Sequence, residues 1–135
     1  MRKVLKKDWD YILNLRNNEE YRNFFYSSET ISKQDHYNYL ENQKSNPNFV
    51  NWIICYNDDD VGYVRILDND VSIMLDTKYQ NKGIGSSALK MLEIEAKKLG
   101  ITKLIGRVMV SNNSSKKIFE KNNYDLEMYW LEKKL

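Results

Sequence analysis

The fold is decided by residues 74–87, which read MLDTKYQNKGIGSS. An apolar pair that ends a β-forming run leads through a short polar loop into two closely spaced glycines, Gly83 and Gly85, and then into a helix. Glycines at this junction let successive backbone amides close on a ligand, and the helix N-terminus adds unpaired N–H donors and a partial positive charge. Lys82 adds a cation to these features. Together they predict a phosphate-binding loop.

The spacing of the glycines excludes two familiar nucleotide-binding loops. The chain has no Gly-x-x-x-x-Gly-Lys-Ser/Thr segment, and Gly83-Ile84-Gly85 lacks the third glycine of the dinucleotide fingerprint. A tight strand-to-helix turn without a ligand is the alternative interpretation of this local pattern.

Hydrophobic periodicity predicts the elements around the loop. Three strands separated by polar turns precede it, which indicates an antiparallel meander, and an amphipathic helix follows it and ends at a C′ glycine, Gly100. The predicted strands are 50–56, 61–67, 71–75, 103–110 and 124–131, and the predicted helices follow the N-caps Asp8 and Ser32 and cover 85–99 and 114–122. The order indicates a mixed α+β fold.

Length and composition indicate one soluble domain over residues 1–135. The net charge of +2 is too small to indicate a nucleic-acid-binding or membrane-surface protein. Cys55, the one cysteine, lies in a predicted core strand and can form no intramolecular disulfide, which favours a reducing cytoplasm. No apolar run approaches the ~20 residues of a membrane span. The acidic cluster 58–60 has no neighbouring ligand group, so no metal is expected.

Two motifs carry a family resemblance. Residues 80–85, QNKGIG, resemble the Gln/Arg-x-x-Gly-x-Gly/Ala signature of the GNAT superfamily, the N-acetyltransferases that use acetyl-coenzyme A. Residues 110–124, VSNNSSKKIFEKNNY, resemble the family's Val-x-Asn-x-x-Ala/Ser-x-x-Leu-Tyr-Glu-Lys-x-Gly-Phe segment. The resemblance covers nearly the whole chain. It implies a mixed, mostly antiparallel sheet with helices on both faces, whose fourth and fifth strands splay to admit acetyl-coenzyme A.

The resemblance also implies a set of cofactor residues. The amides from Asn81 to Ser86 would hold the pyrophosphate, Met74 and Leu75 would pair their main chain with the pantetheine arm, and Asn112 would face that arm. An amide near Leu75 would steady the oxyanion of the thioester. The implied cofactor-binding residues are Met74, Leu75, Gln80, Asn81, Lys82, Gly83, Ile84, Gly85, Ser86 and Asn112.

The implied chemistry is direct attack of a primary amine on the thioester. Deprotonating an amine of pKa ~10.4 at pH 7 costs about 4.6 kcal/mol, against about 1.4 kcal/mol for an amine near pKa 8. Asp70, at the start of the fourth strand where relatives often carry an acid, is the candidate base, acting through water, and Leu75 and Asn112 complete the predicted catalytic set. A purely polar turn over 68–70 is the alternative, and His36, the one histidine, is a second candidate base.

The sequence departs from the family pattern at Phe119, where many relatives carry the tyrosine that protonates the departing thiolate. A thiol of pKa ~8.5 is a tolerable leaving group whose proton can come from water, so the change predicts a slower reaction and not an inactive protein. Tyr124 and Tyr129 are the candidate substitutes. Asn123 replaces the family glycine, and asparagine tolerates the left-handed conformation.

The first two helices are expected to build the acceptor pocket. Residues 15–19 and 30–36 resemble segments of GNATs that acetylate nucleotide-linked amino sugars, as in pseudaminic acid biosynthesis. The acceptor-side candidates are Arg16, Asn17, Tyr21, Phe25 and His36. A polyamine, an amino acid and a protein N-terminus remain alternative acceptors, and a coenzyme-A-binding module with weak catalysis is the alternative function. A homodimer that completes the pocket is left open.

Overall fold

Five strands form one sheet in the computed structural model, which describes residues 1–135. They lie in the order β1 to β5, and every neighbouring pair is antiparallel except β4 and β5, which are parallel. The strands are β1 (Arg2–Lys3), β2 (Phe49–Tyr56), β3 (Asp59–Leu67), β4 (Asp70–Leu75) and β5 (Ile105–Gly106). The helices are α1 (Trp9–Asn17), α2 (Glu19–Arg22), α3 (Lys33–Gln43), α4 (Ile84–Lys98) and α5 (Asn113–Lys121).

Two short polar turns fix the meander. Asn57 and Asp58 join β2 to β3, and Asp68 and Asn69 join β3 to β4, all four with φ between 49° and 70°. Two consecutive left-handed residues are the geometry of tight hairpin turns, and Asn and Asp adopt it at the lowest cost after glycine. The predicted hairpins are therefore confirmed, with two-residue turns that leave Asp70 as the first residue of β4.

Helices cover both faces of the sheet. On one face α4 and α5 pack against β2, β3 and β4 in a cluster that includes Val64, Leu92 and Phe119. On the other face α1 and α3 pack against the same strands through Trp9, Leu40 and other buried side chains. The mixed fold with helices on both faces is confirmed. None of the helices combines the length and the apolar character that crossing a membrane requires.

The fourth and fifth strands separate almost at once. Only Asp70 and Val71 of β4 pair with β5, opposite Ile105 and Gly106. The rest of β4, residues 72–75, has β3 on one side and no strand on the other. This open side of β4 is called the β4–β5 gap below, and it confirms the predicted splay.

Three predictions about local structure are wrong. The strand over 103–110 is reduced to β5, and the segment 124–131 forms no strand, because β5 offers only two residues and the apolar side chains of the segment stay exposed. Cys55 is exposed instead of buried, since it lies at the end of β2 next to the turn into β3. The one-turn helix α2 was not predicted.

The two predicted N-caps differ in outcome. The Ser32 hydroxyl accepts a hydrogen bond from the Asp35 amide at 3.1 Å, which confirms the cap of α3. Asp8 makes no side-chain cap to α1. Its carboxylate instead accepts hydrogen bonds from both terminal guanidinium nitrogens of Arg2 at 2.8 Å and from the Leu5 amide at 2.7 Å. These bonds hold the N-terminal residues against the start of α1.

We expect His36 to make stability depend on pH. Burial lowers the pKa of His36 below its ordinary value, and the hydrogen bond with the Trp9 carbonyl, 2.8 Å from Nε2, opposes the shift only in part. The unfolded chain therefore binds a proton before the folded chain does, and stability falls as pH drops below about 6.5. Urea unfolding at pH 7.5 and 5.5 measures this loss. His36→Gln is expected to lose less stability over that interval, and an equal loss in the two proteins would contradict the assignment.

Candidate functional site

A run of unpaired backbone amides lies between β4 and α4. The amides of residues 81–86 donate no hydrogen bond within the chain, and the first helical bond runs from the Ser87 amide to the Gly83 carbonyl at 3.1 Å. Asn81 and Gly83, with φ of 60° and 78°, turn the chain within this run. Residues 81–86 are called the amide loop below. Unpaired amides at the N-terminus of a 15-residue helix are suited to bind phosphate oxygens.

The two glycines of the motif have different roles. A Cβ on Gly83 would meet no atom within 4 Å, so this position is open to solvent. A Cβ on Gly85 would lie 2.9 Å from the Ile118 side chain and 3.2 Å from the Leu75 side chain. Gly85 therefore allows α4 to pack closely on α5 and β4. Gly85 thus has a packing role, and a role of either glycine in clearing space for a ligand stays a prediction.

Positive charge borders the amide loop. The Nζ atoms of Lys78 and Lys82 lie 5.4 and 5.9 Å from the ring centroid of Tyr79. Cations over an aromatic face are held without losing their exposure to water. Both ammonium groups thus lie over one ring in the segment that leads into α4, whose N-terminus carries a partial positive charge of its own.

The hydrogen bonds of β4 show which main-chain groups face the β4–β5 gap. The Asp76 amide donates to Val61 of β3 at 2.8 Å, and the Ile105 amide of β5 donates to Asn69 at 2.8 Å. Successive residues of a strand direct their main-chain groups to opposite sides. Even-numbered residues of β4 therefore face β3, and odd-numbered residues face the gap.

This alternation corrects one predicted cofactor residue. The main chain of Met74 faces β3, where it pairs with Tyr63, and the Met74 side chain is buried against α1 and α3. Ile73 and Leu75 are the residues whose N–H and C=O groups face the gap. The sequence analysis missed Ile73, although the two-residue turn before β4 is the signal that fixes this register.

The carbonyl of Leu75 is the meeting point of the predicted cofactor and acceptor sides. It accepts hydrogen bonds from the Tyr21 hydroxyl and from the Gln80 side-chain amide, the second at 3.4 Å. Gln80 also donates to the Tyr21 hydroxyl at 3.2 Å. Burial raises the pKa of Tyr21 to about 12, so the hydroxyl keeps its proton near neutral pH. Gln80, predicted to bind the cofactor, therefore connects α2 to the end of β4.

Arg16 and Asn17 organise the segment between α2 and α3. The Asn17 side-chain amide exchanges two 2.8 Å hydrogen bonds with the main chain of Ile31. The Arg16 guanidinium lies 3.9 Å from the Phe25 ring centroid and donates to the Ser27 carbonyl at 3.0 Å. Its Nη1 atom is buried without a partner, and burial lowers the pKa of Arg16. One guanidinium nitrogen of Arg16 is thus left without a hydrogen-bond partner in the protein.

Asp70 and His36 lie away from these groups. Asp70 is at the closed end of the gap, with its carboxylate oxygens 3.5 Å from Arg65 and 3.5 Å from Arg107. These ion pairs join β3, β4 and the residue after β5. His36 lies between α1 and α3, where its ring contacts the Trp9 carbonyl. Their roles in catalysis and acceptor binding stay predictions.

The α5 side of the gap contains Asn112, Phe119 and Tyr124. Asn112 caps α5, accepting from the Ser115 amide at 3.2 Å. Phe119 is buried so close to Gly106 that a Cβ on the glycine would lie 2.7 Å from the ring. Tyr124 packs edge-on against Phe119 with ring centroids 4.8 Å apart, and its buried hydroxyl has no partner.

Two further predicted positions have defined outcomes. Asn123 has a φ of 66°, which confirms that it adopts the left-handed conformation of the glycine in the motif. Tyr129 is exposed and belongs to the C-terminal segment outside the core. Tyr124 is therefore the one predicted substitute that lies beside Phe119.

Tyr11 is a residue that the sequence analysis missed. Its hydroxyl donates to the Asp60 carbonyl at 3.2 Å, and burial, with the charges of Asp76 and Asp60, raises its pKa. It lies near Tyr21 and Tyr79. Tyr11 stands among apolar residues of α1, so the sequence pattern indicates a core aromatic. No local signal in the sequence indicates its contact with Asp60.

Comparison with known proteins identifies the architecture. Residues 1–125 match the family profile described as Acetyltransferase (GNAT) domain. A search of curated proteins finds no match.

Solved structures share the fold at low sequence identity. A spermidine N-acetyltransferase from Vibrio cholerae, in complex with CoA and spermine, superposes with a TM-score of 0.84 at 18% identity, over 98% of this chain and 83% of that chain. A predicted acetyltransferase with acetyl-CoA from Clostridium acetobutylicum gives 0.75 at 19%, over 98% and 94%. A ribosomal-protein-alanine N-acetyltransferase from Brucella melitensis gives 0.76 at 17%, over 90% and 81%.

We expect Tyr124→Phe to leave the protein at least as stable as the native chain. The Tyr124 hydroxyl is buried without a hydrogen-bond partner, so its removal restores up to roughly 1 kcal/mol of desolvation free energy and keeps the ring contact with Phe119. Thermal unfolding of the two proteins measures the change. Tyr63→Phe is the control, because that hydroxyl accepts from Asn51 at 3.3 Å and its removal should destabilise. A clear loss of stability in Tyr124→Phe would show that the hydroxyl has a partner.

Proposed function

Because the chain belongs to the GNAT family of acetyltransferases, we propose that it transfers the acetyl group of acetyl-coenzyme A to a primary amine. The observation that carries the proposal is the junction of the amide loop with the open edge of β4. The amide loop follows β4 closely, and on the open edge of β4 the N–H and C=O groups of Ile73 and the N–H of Leu75 face the gap unpaired, while the Leu75 carbonyl is held by Tyr21 and Gln80. A long ligand with phosphate at one end and amide groups along an arm matches that sequence of donors and acceptors.

The residues present fit this cofactor. The amide loop with Lys78 and Lys82 would hold the pyrophosphate, and the free main-chain groups of Ile73 and Leu75 would pair with the pantetheine arm. Acetyl-coenzyme A supplies the acetyl thioester when bound. The Leu75 amide faces the gap, which supports the proposal that it stabilises negative charge on the thioester oxygen.

The reaction needs no covalent enzyme intermediate. The amine nitrogen bonds to the carbonyl carbon, the carbon–sulfur bond breaks, the thiolate leaves, and the amine loses one proton. Burial, with Glu93 nearby, raises the pKa of Tyr124 to about 12. Proton transfer from that hydroxyl to a thiolate of pKa ~8.5 would be uphill by about 5 kcal/mol. At pH 7 a thiol of pKa ~8.5 is protonated at equilibrium with solvent, so the thiolate can obtain its proton without a side-chain acid, and Phe119 is expected to slow the reaction and not to abolish it.

For the acceptor we propose a nucleotide-linked amino sugar, of the kind acetylated in pseudaminic acid biosynthesis. The unpaired Nη1 of Arg16 supports an anionic acceptor, since a buried guanidinium nitrogen is best satisfied by phosphate or carboxylate. Arg16, Asn17, Tyr21 and Phe25 are the proposed acceptor-side residues, with Asp70 as base through water. A polyamine, an amino acid and a protein N-terminus are the competing acceptors. We expect the reaction in the cytoplasm.

We expect Gly83→Asp to abolish coenzyme A binding. The substitution places a carboxylate among the amides that would bind phosphate, and aspartate tolerates the left-handed φ at this open position. Isothermal titration with coenzyme A should show a loss of at least about 100-fold, or ~2.7 kcal/mol. Gly100→Asp is the matched control: Gly100 has φ of 77° and the same open space, but lies at the other end of α4. Equal affinity in the two variants would show that the amide loop does not bind phosphate.

We expect acceptor-dependent thiol release to be fastest with a nucleotide-linked amino sugar. A panel of that compound, spermidine, free amino acids and an N-terminal peptide distinguishes the acceptors. Arg16→Met should raise the KM of the sugar roughly tenfold and leave the KM of acetyl-coenzyme A unchanged. Arg22→Met is the control, since Arg22 already pairs with Glu19 at 3.7 Å. Thiol release with another amine alone would contradict the proposed acceptor. Coenzyme A binding without thiol release for any amine would favour a coenzyme-A-binding module.

A further inference from the structure

Ser86, the last residue of the amide loop, is held by a side chain from another helix. It lies in the first turn of α4 and is buried. The side-chain nitrogen of Asn122, the C-cap residue of α5, donates to the Ser86 hydroxyl oxygen at 3.0 Å. No other side chain forms a hydrogen bond with the amide loop. This one bond therefore connects the loop to α5, which packs on β5 through Phe119 and Gly106.

The orientation of the Asn122 carboxamide is fixed by a second hydrogen bond. The same nitrogen donates to the Ile118 carbonyl at 2.8 Å. Because a carbonyl can only accept, a carboxamide rotated by half a turn would bring two oxygen atoms together. The observed orientation leaves the Asn122 Oδ1 atom buried without a partner. The chain thus keeps both bonds of the nitrogen although the oxygen has lost its contact with water.

The Ser86 hydroxyl accepts from Asn122 and keeps its own proton for another acceptor. A hydroxyl can donate and accept at the same time. No atom of the chain accepts this proton, although the side chain is buried. Buried polar groups are rarely left unpaired, and the main-chain amide of Ser86 is unpaired as well. Ser86 therefore offers an unused O–H and an unused N–H next to the other amides of the loop.

We propose that Asn122 is a positioning residue for phosphate binding, which orients the Ser86 hydroxyl and fixes the end of the amide loop relative to α5. The inference rests on the proposed function, since it takes the pyrophosphate of coenzyme A as the ligand of the loop. Ile118 and Asn122, four residues apart, share one face of α5 and hold the neighbouring residues Gly85 and Ser86. Both protons of the Asn122 nitrogen are already used, so the residue acts through Ser86 and does not itself bind the anion.

Titration calorimetry with coenzyme A and with pantetheine tests the proposal. Pantetheine contains the arm of coenzyme A without its nucleotide and phosphates. We expect Asn122→Leu to weaken coenzyme A binding about tenfold, because the loop loses its connection to α5, and to leave pantetheine affinity within about twofold of the native value. Asn123→Gly is the matched control and should bind both as the native chain does. Asn123 is the adjacent asparagine, and its φ of 66° suits glycine.

A double-mutant cycle shows whether the effect of Asn122 passes through Ser86. Ser86→Ala removes the acceptor of the same hydrogen bond. The double variant with Ser86→Ala and Asn122→Leu should therefore bind coenzyme A no more weakly than the weaker of the two single variants, because residues that act through one contact are not additive. Additive losses would show that Asn122 acts by another route and would overturn the proposal.

Two further results would overturn the positioning role alone. One is a native chain and an Asn122→Leu variant that bind coenzyme A equally well. The other is an equal loss of affinity for coenzyme A and pantetheine, which would indicate a general disturbance of the fold. A native chain that does not bind coenzyme A would contradict the proposed function, and the positioning role with it. If Asn122→Leu does not fold by circular dichroism, Asn122→Ala carries the same expectation with a smaller side chain.

Discussion

Strand β4 can satisfy its main chain on one side only, and the site depends on that constraint. Its even-numbered residues pair with β3, while β5 leaves after two residues and exposes the groups of Ile73 and Leu75. Buried main-chain groups need partners. The Leu75 carbonyl obtains them from Tyr21 and Gln80, which draws α2 onto the end of β4. The remaining groups are available to a ligand that brings its own amides.

Two close contacts fix the helices around this gap. Gly85 lets α4 approach Ile118 and Leu75, so the amide loop is held at a defined distance from the end of β4. Gly106 lets Phe119 pack directly on β5, which places α5 on the other side of the gap. Since packed interiors resist even one added methyl group, these small residues set the spacing of the amide loop, β4 and α5.

The parts of the fold that the sequence predicted are those determined locally. Polar two-residue turns define the hairpins, and the helical stripe of α4 ending at Gly100 defines the longest helix. The rest depends on distant contacts. The direction of the Met74 main chain follows from the register with β3, and the packing role of Gly85 follows from Ile118 on another helix. The segment 124–131 has the alternation of a strand, but a strand exists only where a partner edge is available.

The acids and bases beside the gap affect how easily an amine could be deprotonated and a thiolate protonated there. No tyrosine beside the gap is an effective acid for the thiolate, since the pKa of Tyr124 and of Tyr21 is about 12. Asp70 is engaged by two arginines at the closed end of the gap. Even with Asp70 acting as base through water, deprotonating an amine of pKa ~10.4 at pH 7 costs about 4.6 kcal/mol, whereas an amine near pKa 8 costs about 1.4 kcal/mol. Under the proposed function, this difference of about 3 kcal/mol is the reason to propose a weakly basic amine over a polyamine, and the unpaired guanidinium nitrogen of Arg16 is the reason to propose one that carries an anion.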